Sequence, residues 1–328
     1  MGSRGLRVEH DSLVIDDLRI TFQRTLRIPD DGRDYPLPPG LGSFPIRRVD
    51  DYLDTVPDAW SEHGGVFIPM YQREAMWMSF HVEDRTPLAL KVGIGKIDAL
   101  TGDQWGEGLC AEPQNYLVRP EQPWLDGINA GDGFIRQFVA MPLGMGYTVE
   151  GQVTGNEEFG GIQLEAFRPK PDKLEEIAKE MRFVLSSMAP DGPDACYSPD
   201  MGLGAGGKMV QDIYPDPHGI DLWDPASGRR VFVHIANSTA WRDITGEEPP
   251  PTPVSAELYT RHGYPWFELY DEHKGDIKKS DSLAAIDTIA GVDKKKGFGA
   301  QQDDSTVGVP EGQVVKLGPP GAVRDGDW

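Results

Sequence analysis

Hydrophobic and polar positions alternate along much of the first half of this chain. In 18–28, Leu18, Ile20, Phe22, Leu26 and Ile28 fall on one face. Arg19, Thr21, Gln23, Thr25 and Arg27 fall on the other, and Arg24 breaks the apolar face once. A period of two with Ile and Thr enrichment predicts a half-buried strand. Pro29-Asp30-Asp31-Gly32 has the chemistry of the turn that ends it, and the proline-rich stretch 36–40 reads as a stiff connector. Further strands are predicted over 66–70, 75–82, 88–94 and 134–141. Two hairpins are expected: 147–154 with 161–167 around the loop 155–160, and 220–223 with 230–236 around Asp224-Pro225-Ala226-Ser227-Gly228.

One stretch has a different period. In 172–188, Leu174, Ile177, Ala178, Met181, Val184, Leu185 and Met188 recur at helical spacing, and Asp172 with Glu175 forms a capping-box pattern. A shorter helix is expected over 281–290, ended by Gly291. Beyond residue 294 the chain is poor in aromatics and rich in Gly, Pro and Asp, so a tail loosely ordered or draped over the body is expected. No repeat of 20–50 residues is evident, nor the strand–helix alternation of a doubly wound sheet. The pattern predicts a mainly β protein: an antiparallel β-sandwich or jelly-roll-like body over 12–290 with one packed amphipathic helix, and a tail over 291–328. Two lobes, 12–168 and 195–290, joined by the helix 172–188, are the alternative.

Composition narrows the function classes. The 328 residues include 39 Gly and 28 Pro, which argues against a helix bundle or coiled coil. With 32 basic and 53 acidic side chains the net charge is -21, a field that repels phosphate backbones and anionic membranes. No apolar run approaches the roughly 18 residues of a membrane span, and the N-terminal sequence has no apolar signal core. The expectation is a soluble, cytoplasmic protein with neither nucleic acid nor membrane as partner. Cys110 and Cys196, the two cysteines, lie outside any CxxC or Cys/His cluster and read as idle thiols.

Four features could carry chemistry. Gly202-Leu203-Gly204-Ala205-Gly206-Gly207-Lys208-Met209 nearly fits a phosphate loop, but Met209 stands where a magnesium-binding hydroxyl is needed and no buried strand precedes it. A flexible or tightly turning glycine loop is expected instead. Asp216, His218 and Asp221, with His234 in the next strand, offer oxygen and imidazole ligands for a divalent metal. Asp216-Pro217-His218-Gly219 is equally the composition of a surface turn. His234 shares its face with Phe232 and Ala236, where a histidine is more often a hydrogen-bonded core residue than a catalyst. Trp105, Trp124, Trp241 and Trp266 lie in loop-like sequence, where they would either stack on a flat ligand or plug the ends of a sandwich.

Two stretches are familiar together. Residues 137–152 (QFVAMPLGMGYTVEGQ) and 231–238 (VFVHIANS), continuing through Trp241-Arg242-Asp243 and Pro265-Trp266-Phe267, resemble a widespread microbial family of uncharacterised proteins. The resemblance spans about 66–289. It implies one recurring module and transfers no activity, cofactor or catalytic residue.

With no catalytic motif in its proper context, the leading expectation is a non-enzymatic binding or assembly protein without a cofactor. It would present Trp124, Trp241, Trp266, His234 and Asn237 to a protein or glycan partner. The alternative is a metal-assisted hydrolase built on Asp216, His218, Asp221 and His234. A structural subunit of a homo-oligomer is the third reading.

Overall fold

Two sheets face each other across one apolar core in a computed structural model that describes residues 5–82, 86–174, 201–268, 275–299 and 301–317. The first sheet runs β1 (Leu6–Glu9), β2 (Ser12–Ile15), β3 (Leu18–Thr25), β7 (Ala75–Val82), β13 (Phe134–Met141) and β12 (Gly127–Gly131). To it are added β4 (Gly40–Ser43), β11 (Trp124–Leu125) and β15 (Gly202–Val210). The second runs β10 (Leu117–Arg119), β8 (Leu88–Ile94), β14 (Ile162–Phe167), β16 (Arg229–Asn237), β6 (Val66–Met70) and β5 (Arg47–Arg48), with β9 (Ile97–Asp98) on β8. A separate pair, β17 (Trp266–Glu268) and β18 (Val314–Lys316), lies outside both. Pairing is antiparallel except for β16 with β6 and β17 with β18.

The alternation read from the sequence explains this packing. Leu18, Ile20 and Phe22 of β3 and Met76, Met78 and Phe80 of β7 meet Leu88, Leu90, Val92 and Ile94 of β8 and Val231, Val233 and Ile235 of β16 in one buried cluster. Successive side chains point to opposite faces of a strand, so the intervening residues cover the outside. On the outer face of the second sheet, α1 (Asp58–His63) and α3 (Ser238–Thr245) pack Trp60 and Trp241 onto Phe67 and Ala236. The chain is mainly β with antiparallel sheets, as the periodicity predicts, and 66–70, 75–82, 88–94 and 134–141 are strands with those bounds.

Several local expectations are corrected. Residues 149–154 form a helix, α2 (Val149–Thr154), rather than a strand. The Thr148 hydroxyl accepts a hydrogen bond from Gly151 N at 3.0 Å, and Gly155 ends the helix at φ 80°. Strand β14 therefore pairs with β8 and β16 instead of closing a hairpin. The second expected hairpin is also absent: Ile220–Leu222 is a 3-10 turn, and β16 inserts between β14 and β6. Beyond α4 (Ala256–Arg261), the helix expected over 281–290 is two short helices, α5 (Asp281–Ala284) and α6 (Ile289–Lys295), capped by Ser280 and Thr288, and Gly291 sits inside the second. Of 172–188, the chain begins a helical turn at 171–174; the rest lies outside the described residues.

The largest correction concerns the glycine-rich stretch, which is strand β15 and not a loop. It pairs with β13 through a bulge that sets Gly206 and Gly207 opposite Gln137. A Cβ at Gly206 would lie 2.6 Å from Val139 Cγ2, and one at Gly207 would lie 2.6 Å from the Pro29 carbonyl oxygen. These residues are glycine because other segments press directly on the strand. Of the two strands that follow residue 200, β15 enters the first sheet and β16 the second. Val307, within the stretch expected to be a tail, is buried in the main core.

Candidate functional site

The expected aromatic surface is mostly interior. Trp241 and Trp266 are both 0% exposed, so neither meets a partner in the folded chain. Trp241 packs on Phe67 at 5.5 Å between ring centroids, with the Arg47 guanidinium 5.8 Å from its ring. Trp266 donates its indole N–H to Thr260 Oγ1 at 3.1 Å and packs beside Tyr35 and Tyr259. Trp124 is half-buried on β11, and its indole N–H is committed to Asp126 Oδ2 at 2.6 Å. Burial pushes that Asp126 carboxyl up to about 7 against the pull of the indole hydrogen bond. Asn237 caps α3, accepting hydrogen bonds from the backbone N and the hydroxyl of Thr239.

The Asp/His set is dispersed. Asp216 Oδ2 accepts hydrogen bonds from the Tyr116 phenol at 2.6 Å and the Trp223 indole at 3.0 Å, and Oδ1 accepts one from His218 N at 2.8 Å. Its lone pairs hold a turn together. His218 is exposed, 3.9 Å from a Glu121 oxygen, and Asp221 is exposed with its backbone carbonyl taking the Lys170 ammonium. His234 belongs to a different cluster. Its ring stacks between Trp60 at 4.8 Å and Phe232 at 4.3 Å, and Nε2 lies 3.0 Å from Gly64 O. Burial holds this imidazole down to about 4, only partly offset by the Gly64 hydrogen bond. Among the described residues no three His, Cys, Asp or Glu side chains are grouped to hold a metal ion. The four candidates therefore form no ligand set.

One loop tryptophan does line an open recess. Trp105 and Phe159 are half-buried walls of a depression of about 270 Å³ at the turn between β8 and β9. Its floor is Gly95 and Lys96, both at positive φ (56° and 58°). A side chain at Gly95 would strike the Glu150 carboxylate, so that residue is held to glycine by close approach as well as by conformation. Glu150 in turn builds the neighbouring loop: its buried carboxylate accepts the backbone N–H groups of Glu158, Phe159 and Gly160 at 2.9, 2.9 and 2.8 Å. This is why α2 is needed here.

Trp105 is fixed from below. A Cβ on Gly93 would lie 2.5 Å from the indole ring, so only glycine lets the ring lie flat on β8. The Lys91 ammonium, buried on the same outer face, sits 4.4 Å from the ring centroid and donates to Gly106 O at 2.7 Å. Burial lowers the Lys91 pKa and raises that of Asp98, to about 7, with each charge countering part of the other's shift. Lys96 covers one face of Phe159, 3.6 Å from its centroid. Around the rim, Gln104, Asn156 and Glu158 are exposed, supplying amide and carboxylate groups beside two aromatic rings.

Sequence reasoning named Trp105 but could not separate it from the buried tryptophans, and it missed Phe159, Lys96 and Gln104. The signal available was Gly95-Lys96, a two-residue turn between apolar strands. Among the described residues no helix is long and apolar enough to cross a membrane. Comparison with protein-family models, with curated proteins and with solved structures found no match to this chain.

Proposed function

We propose that this protein is a binding protein for a neutral saccharide, taken in the recess beside Trp105. The reading keeps the expected glycan partner and moves its site away from Trp124, Trp241 and Trp266. The observation that carries it is a half-exposed tryptophan, held flat on Gly93 by Lys91, in a recess with Phe159 and with Gln104, Asn156 and Glu158 at its rim. An aromatic face packs on the C–H face of a sugar ring, while amides and carboxylates bond the hydroxyls at its edge. A ring already held in place loses little further freedom on binding.

The test is a ligand-observed NMR titration of the full chain with glucose, galactose, mannose and N-acetylglucosamine, beside the Trp105→Ala variant. Saturable binding of at least one sugar, lost in the variant while its melting temperature stays within a few degrees, supports the proposal. Binding that survives Trp105→Ala, or none of the four bound at millimolar concentration, refutes it.

A further inference from the structure

A second site lies at the end of β3 and β7, where three arginines converge in a strongly acidic chain. Arg24 follows the apolar face of β3 and is buried with its guanidinium on the Glu74 carboxylate. Arg27 emerges just past the end of β3. Arg73 approaches from the turn before β7, at φ 70°, a backbone setting uncommon for a side-chain-bearing residue. Its N–H is fixed to Ala140 O at 2.7 Å, which aims the guanidinium along the sheet end.

Arg27 and Arg73 are bridged by two consecutive aspartates from far along the chain. Arg73 Nε lies 2.6 Å from Asp303 Oδ2, and its Nη2 lies 2.8 Å from Asp304 Oδ2. Arg27 contacts both aspartates as well. Asp293, held by the Tyr147 phenol, takes the remaining Arg73 nitrogen at 2.8 Å. Yet Arg27 keeps a buried Nε with no hydrogen-bond partner among the described residues. A cleft of about 620 Å³ opens alongside, lined by both arginines, Gln72, the 252–255 loop, the first turn of α4 with Glu257, and the strap residues Gln301 and Ser305. The strap is thus a chain segment bearing adjacent carboxylates, seated on a paired-guanidinium cradle with room beside it.

We propose that Arg27 and Arg73 form a binding site for an acidic chain segment of a partner protein, and that Asp303 and Asp304 occupy it in cis. The recognition mode is the one on view: carboxylates on neighbouring residues, each shared by two planar guanidiniums, a geometry that a single point charge does not reproduce. The net charge of -21 repels acidic chains at long range, so the site selects segments that match both arginines over acidic chains in general. The intramolecular strap competes at high effective concentration and keeps the site closed until a better-matched segment displaces it.

The experiment uses the full chain carrying Asp303→Asn and Asp304→Asn, and a blocked synthetic peptide QQDDSTV, the sequence of residues 301–307. The double variant is expected to bind the peptide at least tenfold tighter than the unaltered chain by calorimetry. Adding Arg73→Gln to it should abolish the binding, and the peptide QQNNSTV should not bind. A folded double variant that ignores QQDDSTV overturns the proposal. So does inorganic phosphate binding as tightly as the peptide, which would reduce the site to a simple anion pocket. If the double variant does not fold, amide hydrogen exchange of the unaltered chain decides. Excess QQDDSTV should accelerate exchange in 301–307, and unchanged exchange there overturns the proposal.

Discussion

Protonating one imidazole should loosen the outer face of the second sheet. His234 is neutral in the fold because its ring is enclosed between Trp60 and Phe232, and burial holds it down to about 4 from an ordinary 6.5. The folded chain therefore binds fewer protons at this site than the unfolded chain does. That difference is a stability contribution, fully present above pH 6.5 and lost as the pH falls toward 4. The shift predicts a loss of about 2 kcal/mol by pH 5 and about 3 kcal/mol by pH 4 from this group alone. Carboxylates across the molecule also respond to acid, so the measurement is a difference. His234→Phe keeps an aromatic ring in the stack and gives up the Gly64 contact equally at every pH. Urea unfolding of both proteins at half-unit steps from pH 7.5 to 4.5 should give a gap that narrows or reverses as the pH falls. Parallel curves across that range would refute the reasoning.

Two further predictions follow from packing. Glu74→Gln removes the carboxylate that holds the buried Arg24 guanidinium, and leaving that charge without its partner should cost about 3 kcal/mol or more in denaturant unfolding; a loss under 1 kcal/mol would mean that the site admits water freely. Gly207→Ala places a methyl against the Pro29 backbone and should destabilise by about 1–3 kcal/mol, whereas Gly299→Ala, with none of the described residues within 4 Å of the added methyl, should be near neutral in the same melts.

How much of this was legible depended on whether burial leaves a period. Strands β7 and β8 put alternate residues into the shared core, and their bounds follow from that pattern, while β6 and β13 show as short apolar runs. Strand β15 could not be read this way. Its glycines are required by neighbours distant in sequence, such as Pro29 and Ile289, and a glycine run has the composition of a loop. Helix α2 hides behind β-branched residues, and its cap, Thr148, looks like one more strand residue. The candidate recess was half legible: Trp105 stood out, but four loop tryptophans of equal local context differ only in what covers them. The arginine cleft was invisible, because Arg27 and Asp303 are 276 positions apart and ion pairing leaves no periodic trace. Even so, Arg24 stands in the sequence as the one break in an apolar face, and that break is where Glu74 is held.

Strand β16 has a consequence for synthesis on the ribosome. It is inserted between β14 and β6, so the second sheet exists as two unjoined pieces until residues 229–237 arrive. β15, completing the first sheet, is also made late. A nascent chain of two hundred residues therefore carries unpaired strand edges on β14 and β6, where β16 will insert. Such intermediates pair with one another when crowded. Closure must await contacts of long sequence separation, which slows folding. The sandwich can thus close only once residues 229–237 have left the ribosome, with its yield set by how well those open edges are shielded in the interval.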